Sequence, residues 1–339
     1  MDKELLEKNA NQLVSPGKGI LAADESNGTM SNRLESVGVS PSEESRREYR
    51  TNLFSTEGYE ESISGVILFD ETIRQSMDDG TLIPDYLNKR GILPGIKVDT
   101  GAKALANYQG EKITEGLDGL RERCSEYFSM GARFAKWRAV IGIGSDKPSD
   151  ACISTNAHAL ARYSAICQEQ GLVPIIEPEV LMEGVHDADR CYEVTANILS
   201  HTFSECQKQG VHIPGALLKP NMIFAGVGNE NQISRDEVAK MTIQCLMENV
   251  PHNLPGIVFL SGGQSDQDAT AHLNLMNKME VEMPWQLSYS YGRALQADAL
   301  RKWAARDEHS NSSSRNSFLH RSSMNGLARS GEWEESLEV

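Results

Sequence analysis

The sequence lacks the residue spacings that commonly mark a metal site. Its six cysteines contain no CxxC pair, and its eight histidines contain no HxH or HxxxH pair. Protein zinc sites usually combine such short-range pairs. We therefore predict that no metal or other cofactor is needed. We interpret the cysteines as reduced, structural thiols of a cytoplasmic protein.

Long apolar runs and an excess of positive charge are also missing. No apolar stretch approaches the roughly 20 residues that span a bilayer, and residues 1–12 are charged where a signal sequence is apolar. The net charge of −15 disfavours binding to nucleic acid or to anionic membranes. We expect neither partner. A small anionic ligand is not excluded, because it needs only a local positive pocket.

Eight short apolar segments recur along the chain and predict strands. They cover residues 19–23, 64–69, 93–98, 133–137, 173–176, 215–218, 256–260 and 285–289. Stretches with helical periodicity lie between them, for example 118–129, 154–170 and 187–209. Strands that alternate with helices indicate a parallel sheet. From the third segment to the seventh the repeat is roughly 40 residues, and eight such units predict an α/β protein with a (β/α)8 TIM barrel.

The main alternative fold is an open, doubly wound sheet. Such a sheet usually has a GxGxxG turn after its first strand, whereas here residues 24–29 read DESNGT. No linker interrupts the interior, so we predict a single catalytic domain over residues 1–308. Residues 309–330 are rich in Ser, Asn and Arg, and we predict a flexible C-terminal tail over residues 309–339. A disordered end is favoured over one that folds across the mouth of the barrel.

Charged or polar side chains follow the apolar segments where the predicted strands end. They are Asp24, Lys97, Asp99, Lys136, Arg138, Glu177, Glu179, Lys219, Ser261, Ser290 and Arg293. Barrel active sites lie at this end of the strands, and residues two apart on a strand share a face. One such charge alone is equally consistent with a structural ion pair. Because buried charges are costly unless paired or used, their recurrence favours an active site.

Two prolines indicate where strands end. Pro178 follows Glu177, and Pro220 follows Lys219. A proline cannot donate to a strand ladder, and it holds the preceding residue extended. We therefore predict that each of these two strands ends where its charge appears.

Lys219 is the candidate nucleophile. A lysine attacks a ketone only when its amine is neutral, a form that burial and nearby cations such as Lys136 and Arg138 favour. The resulting iminium is an electron sink, so a neighbouring carbon–carbon bond can break. Acid and base groups for the proton transfers would be Asp24, Glu177 and Glu179. The alternative is a lysine whose amine simply extends to solvent, which these neighbours disfavour.

Two groups of residues are candidates for binding phosphate. The loops after the seventh and eighth strands, which commonly hold phosphate in this fold, contain Ser261-Gly262-Gly263-Gln264-Ser265 and Tyr291-Gly292-Arg293. The second group is Ser26, Thr29 and Arg33 with Lys97, in which Ser26 also fits the N-cap of a helix. Two anion sites on either side of one lysine predict a substrate that is phosphorylated at both ends.

Over about residues 5–305 these segments resemble class I fructose-bisphosphate aldolases. The matching segments are PGKGILAADES (16–26), GIKVD (95–99), FAKWR (134–138), PIIEPE (174–179), LLKPNM (217–222), FLSGGQS (259–265) and SYGRAL (290–295). The resemblance implies reversible cleavage of fructose 1,6-bisphosphate to dihydroxyacetone phosphate and glyceraldehyde 3-phosphate, in glycolysis and gluconeogenesis. It also implies a homotetramer, with sugar phosphates as its small-molecule partners.

The resemblance implies a role for each site residue. Lys219 would form the Schiff base, Asp24 would handle the C4 hydroxyl proton, and Glu179 would be the acid/base of iminium formation. Glu177 and Lys136 would assist the carbinolamine steps. The ketose C1-phosphate site would contain Ser261, Gly262, Gly292 and Arg293, and the other phosphate end would contain Ser26, Thr29, Arg33, Lys97 and Arg138. Ser290 is a further candidate for binding substrate or phosphate.

Alternatives to this function are a Schiff-base lyase for another sugar or keto acid, and a non-catalytic scaffold that keeps the fold. Two phosphate sites disfavour the first, and the intact set of acidic and basic residues disfavours the second. One feature departs from the resemblance, because family members commonly end in a tyrosine and this sequence ends in Val339. We expect cleavage to survive this change, with slower proton exchange at the dihydroxyacetone phosphate carbon.

Overall fold

The computed structural model describes residues 1–338 and contains a closed barrel of eight parallel strands. In chain order the strands are β1 (Gly19–Ala22), β2 (Ile63–Leu68), β3 (Leu93–Lys97), β4 (Ala102–Ala104), β5 (Lys112–Thr114), β6 (Phe134–Ile141), β7 (Val173–Val180), β8 (Leu217–Leu218), β9 (Gly256–Phe259) and β10 (Gln286–Tyr291). The β4–β5 pair is an antiparallel hairpin outside the barrel. Because β1 pairs with both β2 and β10, the sheet closes, and the predicted (β/α)8 barrel is confirmed.

Helices precede, separate and follow the barrel strands. They are α1 (Lys3–Leu13), α2 (Asn27–Ser36), α3 (Glu43–Phe54), α4 (Asp70–Ile73), α5 (Ile83–Lys89), α6 (Leu120–Ser129), α7 (Asp150–Glu169), α8 (Ala188–Lys208), α9 (Arg235–Asn249), α10 (Asp266–Lys278), α11 (Arg293–Ala304) and α12 (Ser310–Arg329). Several begin at a Ser or Asp whose side chain accepts a backbone N–H, as Ser149 and Asp187 do. Such N-caps satisfy donors that have no partner within the helix. None of the helices within residues 1–338 has the length and apolarity to cross a membrane.

Helix α1 closes the N-terminal end of the barrel. Its Leu6, Ala10 and Leu13 are fully buried and cluster with interior side chains of the strands, including Ile67 and Val258. This packing removes apolar area from water, which is the main source of stability in such a core. With that end filled, the open C-terminal end is where a ligand can enter.

Strand β7 runs past its proline, contrary to the prediction that it ends at Glu177. It pairs with β6 along its full length, with Pro178 opposite Ala139. On its other side the ladder with β8 extends only to Leu218. Along a strand, the backbone N–H groups of residues two apart point toward the same neighbouring strand. Val180 N donates to the side chain of Asn221, which follows β8, so position 178 also faces β8. The missing N–H of Pro178 therefore faces the side where the ladder has already ended.

Residues 310–329 do not form the flexible tail that their composition predicts. They form helix α12, in which Phe318, Ser314 and Asn325 are fully buried. Asn52 of α3 donates to Ser314 Oγ at 3.1 Å, and Thr270 of α10 donates to Asn325 Oδ1 at 3.1 Å. The small polar side chains order this segment through hydrogen bonds to the barrel helices, which composition alone does not reveal. The final residue of the predicted tail, at position 339, lies outside the described residues.

Candidate active site

A cavity of about 340 Å³ opens at the C-terminal ends of the barrel strands. All of the predicted site residues line it, namely Lys219, Glu179, Glu177, Asp24, Lys136, Ser26, Thr29, Arg33, Lys97, Arg138, Ser261, Gly262, Ser290, Gly292 and Arg293. They come from seven of the eight barrel strands and the segments that follow them. Parallel strands bring these distant parts of the sequence together because their C-terminal ends meet at one face of the barrel.

Two lysines and two carboxylates form the floor of the cavity. Lys136 Nζ lies 2.8 Å from Asp24 Oδ2 and 3.4 Å from Glu177 Oε2, and Lys219 Nζ lies 3.3 Å from Glu177 Oε1. The four residues are between 3 and 7% exposed. Glu177 therefore bridges the two amines, and Lys136 contacts two carboxylates where Lys219 contacts one.

Burial and the neighbouring charges together determine whether Asp24, Glu177 and Lys136 are ionised. Burial alone raises the pKa of Asp24, but Lys136 and Lys219 outweigh it and lower that pKa to about 2. Burial also opposes ionisation of Glu177, and the same two lysines hold its pKa below the usual range. Burial lowers the pKa of Lys136, whereas Asp24 and Glu177 raise it to a net value well above its ordinary one. At neutral pH, Asp24 and Glu177 are carboxylates and Lys136 is an ammonium ion.

Glu179 and Arg138 face each other one layer above this cluster. They stand on neighbouring strands β7 and β6, and Arg138 Nε donates to Glu179 Oε2. On the other side of β6, Lys97 Nζ lies 3.0 Å from Asp99 Oδ1. Asp99 also accepts the backbone N–H groups of Arg138 and Gly101. The carboxylates thus position the cations that rim the cavity.

One wall of the cavity carries donors without partners. Helix α11 begins at Gly292 with no side-chain cap, and Ser290 Oγ is buried with no hydrogen-bond partner within residues 1–338. Arg293 forms no ion pair with any described residue. A Cβ on Gly262 would lie 3.2 Å from Glu179 Oε1, so the backbone comes close to the acid. Free N–H groups at a helix N-terminus, a hydroxyl and a guanidinium fit a phosphate group.

The opposite wall is built on the N-terminus of α2. Ser26 is its N-cap, and its Oγ lies 3.1 Å from Thr29 Oγ1. Arg33 is already paired with Glu25, which also contacts Arg50 at 3.6 Å. An anion bound at this wall would contact Arg33 and Lys97, which already pair with carboxylates. An anion bound at Arg293 would contact a guanidinium that pairs with no carboxylate among residues 1–338.

Two acidic residues of the cavity received no role from the sequence. Glu25 lines the cavity and pairs with Arg33, and Asp99 pairs with Lys97. Glu25 directly follows Asp24, and Asp99 lies two residues after Lys97 on the same strand face. These positions beside predicted site residues are the signal from which the sequence could have placed Glu25 and Asp99 at the cavity. The sequence could not show which cations they pair with, because that depends on the tertiary contacts.

Comparisons with known proteins agree on one family. The family model described as fructose-bisphosphate aldolase class-I matches residues 4–339. A probable fructose-bisphosphate aldolase class 1 of Xanthomonas campestris is 52% identical over 334 residues, which cover 98% of this chain and 100% of the relative. The cytosolic fructose-bisphosphate aldolase 4 of Arabidopsis thaliana is 46% identical over 323 residues, or 95% of this chain and 82% of the relative.

A solved structure of high similarity is that of the aldolase from Plasmodium falciparum in complex with TRAP and a small-molecule inhibitor. It superposes with a TM-score of 0.95 at 44% identity and covers 98% of this chain and 95% of that one.

Proposed function

The chain belongs to the class I fructose-bisphosphate aldolase family, and from that premise we propose that Lys219 is the lysine that forms its Schiff base. As a member it is an aldehyde-lyase that reversibly cleaves fructose 1,6-bisphosphate to dihydroxyacetone phosphate and glyceraldehyde 3-phosphate. The family works through a lysine imine without a metal. The alternative of a non-catalytic scaffold has no support.

The contacts of the two floor lysines favour Lys219 over Lys136. Lys136 contacts two carboxylates, and its raised pKa keeps it an ammonium ion. An ammonium ion has no lone pair with which to attack a ketone. Lys219 shares a single carboxylate at 3.3 Å and is 4% exposed. This difference in charge partners is the observation that carries the assignment.

Carbinolamine formation and dehydration use the neighbours of Lys219. Its nitrogen adds to the C2 ketone and loses a proton, while the ketone oxygen gains one proton to form the carbinolamine hydroxyl and a second one to leave as water. Glu177 lies 3.3 Å from the attacking nitrogen and is positioned to take the proton that this nitrogen loses. Lys136, held as a cation beside Glu177, stabilises the negative charge on the oxygen. We assign to Glu179, on the face shared with Glu177, the proton transfers of iminium formation.

Cleavage of the C3–C4 bond needs a base for the C4 hydroxyl. The electron pair of that bond moves to the iminium and yields an enamine, while the C4 hydroxyl loses its proton and becomes the aldehyde. We assign this base to Asp24, because its lowered pKa makes it a carboxylate at neutral pH. Its ion pair with Lys136 at 2.8 Å fixes its orientation.

We propose that the two walls of the cavity hold the two phosphates. The wall with Ser261, Gly262, Ser290, Gly292 and Arg293 would bind the C1 phosphate of the ketose. The wall with Ser26, Thr29, Arg33, Lys97 and Arg138 would bind the other phosphate. The uncapped start of α11 and the unpaired hydroxyl of Ser290 support the first assignment. The N-terminus of α2 supports the second.

Three further properties are proposals that rest on family membership. We expect activity without a metal, a cytoplasmic location and a homotetramer. The tetramer predicts a solution mass of about four times the 37.4 kDa of one chain, which light scattering would measure. A mass of one or two chains would contradict it.

Borohydride trapping tests the Schiff-base assignment. The protein is mixed with dihydroxyacetone phosphate, reduced with borohydride, digested and mapped by mass spectrometry. We expect the triose adduct on Lys219 and none on Lys136. Lys219→Ala should lose the adduct and the activity, while Lys302→Ala on the protein surface serves as the control. An adduct on another lysine would overturn the assignment.

A further inference from the structure

The loop of residues 261–265 separates two cavities. Ser261 and Gly262 line the active-site cavity, whereas Gly263, Gln264 and Ser265 line a second cavity of about 430 Å³ on the other side. Gly263 has a φ of +78°, and a Cβ there would lie 2.6 Å from Met182 Cβ. The backbone must therefore turn sharply through this position, and the side chain of Gln264 points away from the substrate.

Two side chains of this loop contact the helix α10 that follows it: Ser265 caps the helix and contacts Asp268, and Gln264 contacts His272 further along the helix. His272 of α10 is 7% exposed, and its Nδ1 lies 2.7 Å from Gln264 Oε1. Gln264 Nε2 is buried and has no partner within residues 1–338. Among residues 1–338, the bond to His272 is therefore the one hydrogen bond of the Gln264 side chain. Losing it would leave a buried amide without any partner, which is costly.

The imidazole of His272 is neutral over the physiological range. Burial lowers its pKa most, Asp268 opposes that shift, and Arg235 adds to it, which gives a pKa of about 4. A neutral imidazole has one N–H, and a carbonyl oxygen can only accept. The bond to Gln264 Oε1 therefore places the hydrogen on Nδ1 and gives the loop a fixed donor.

We propose that His272 is a positioning residue for the ketose-phosphate site, acting through Gln264 to hold Ser261 and Gly262 in the wall of the active-site cavity. The inference rests on the proposed assignment of Ser261 and Gly262 to the C1 phosphate. It assigns no chemical step to His272, which lies behind the loop and does not line the active-site cavity.

The position of the loop predicts a selective effect. Only the wall that follows β9 and β10 depends on it, whereas the opposite wall is built on α2, β3 and β6. If the loop is less ordered in the free protein, it must become ordered when the phosphate binds. The free energy that this ordering costs weakens phosphate binding. The condensation reaction separates the two walls, since dihydroxyacetone phosphate uses one and glyceraldehyde 3-phosphate uses the other.

The test compares His272→Leu with His272→Asn in the condensation direction. Leucine keeps most of the volume but cannot donate, and the amide of asparagine can replace the Nδ1–H. For His272→Leu we expect KM for dihydroxyacetone phosphate to rise about fivefold, as for the loss of one hydrogen bond. KM for glyceraldehyde 3-phosphate and kcat should stay within about twofold, and His272→Asn should restore the wild-type KM.

A second variant keeps the proposal testable if His272→Leu folds poorly. Gln264→Met removes the same bond from the loop side, and the double variant should add little to either single one. Equal KM changes for both trioses, equal behaviour of the leucine and asparagine variants, or no change at all would overturn the proposal. A wild-type protein that gives no Lys219 adduct would instead refute the Schiff-base assignment, so the two failures are distinguishable.

Discussion

Replacing Lys136 with methionine should reveal how much the floor of the cavity depends on one ammonium ion. The change keeps the length of the side chain and removes the charge that lies 2.8 Å from Asp24 and 3.4 Å from Glu177. Both carboxylates stay buried in the variant, but the ammonium ion that contacts both of them is gone. Uncompensated buried charge is among the few causes of large destabilisation by a single substitution.

The magnitude follows from the pKa of Asp24. Lowering that pKa from the ordinary 3.8 to about 2 corresponds to about 2 kcal/mol of stability in favour of the folded state. Glu177 adds to this, and breaking a buried ion pair by removing one partner typically costs about 3–5 kcal/mol. We therefore expect the free energy of unfolding to fall by about 2–5 kcal/mol at pH 7.

The sign of the pH dependence is a second, independent check. The folded-state pKa of Asp24 is depressed, so its stabilising contribution is present above about pH 4 and is lost as the pH falls toward 2. In the variant, burial without Lys136 raises the pKa of Asp24, and this contribution is absent. The difference between wild type and variant should therefore shrink as the pH is lowered from 7 toward 3.

Urea unfolding at fixed protein concentration, followed by fluorescence at pH 7, 5 and 3, measures this difference. Lys302→Met is the matched control, because Lys302 is exposed and pairs with Asp298 at the surface. Surface pairs contribute little, so the control should stay within about 0.5 kcal/mol of wild type. A Lys136→Met protein as stable as the wild type at pH 7, or a deficit that grows in acid, would refute the reasoning.

Three other outcomes are expected. Arg293→Ala should raise KM for dihydroxyacetone phosphate at least about tenfold, since a charged hydrogen bond to phosphate is lost. Arg301→Ala, on the exposed side of α11, is the control. An unchanged KM in Arg293→Ala would contradict the phosphate assignment. Phe318→Ala should lower the free energy of unfolding by about 3–5 kcal/mol, because the ring of this α12 residue is fully buried. A variant with the wild-type urea midpoint would mean that α12 does not pack on the barrel in solution. Activity should be unchanged in excess EDTA, and inactivation that zinc reverses would contradict a metal-free mechanism.

The barrel and its site could be predicted because both depend on local patterns. Each strand is a short apolar run, and each site residue lies where such a run stops. In a closed parallel barrel all those positions meet at one end, so Asp24 and Lys219 come together although nearly 200 residues separate them. Prediction from residue order was sufficient here because the geometry of the fold supplies the contacts.

The prediction of a flexible tail failed for a different reason. Residues 310–329 contain few large apolar side chains, which is typical of disorder. Their stability comes from partners such as Asn52 and Thr270 on other helices, and a composition count does not include partners. Pro178 shows the same limit, because its effect depends on which neighbouring strand its missing N–H faces.

The order of apolar runs and charges along the sequence determined the barrel, the position of its mouth and the residues that line it, since these follow from periodicity and chain direction. Only the tertiary structure decided the contacts within residues 1–338: that Lys136 contacts two carboxylates and Lys219 one, that Arg33 is paired and Arg293 is not, and that His272 contacts Gln264. Electrostatic and hydrogen-bond energies fall steeply with distance, so these roles depend on contacts of a few ångströms between segments that are far apart in the chain.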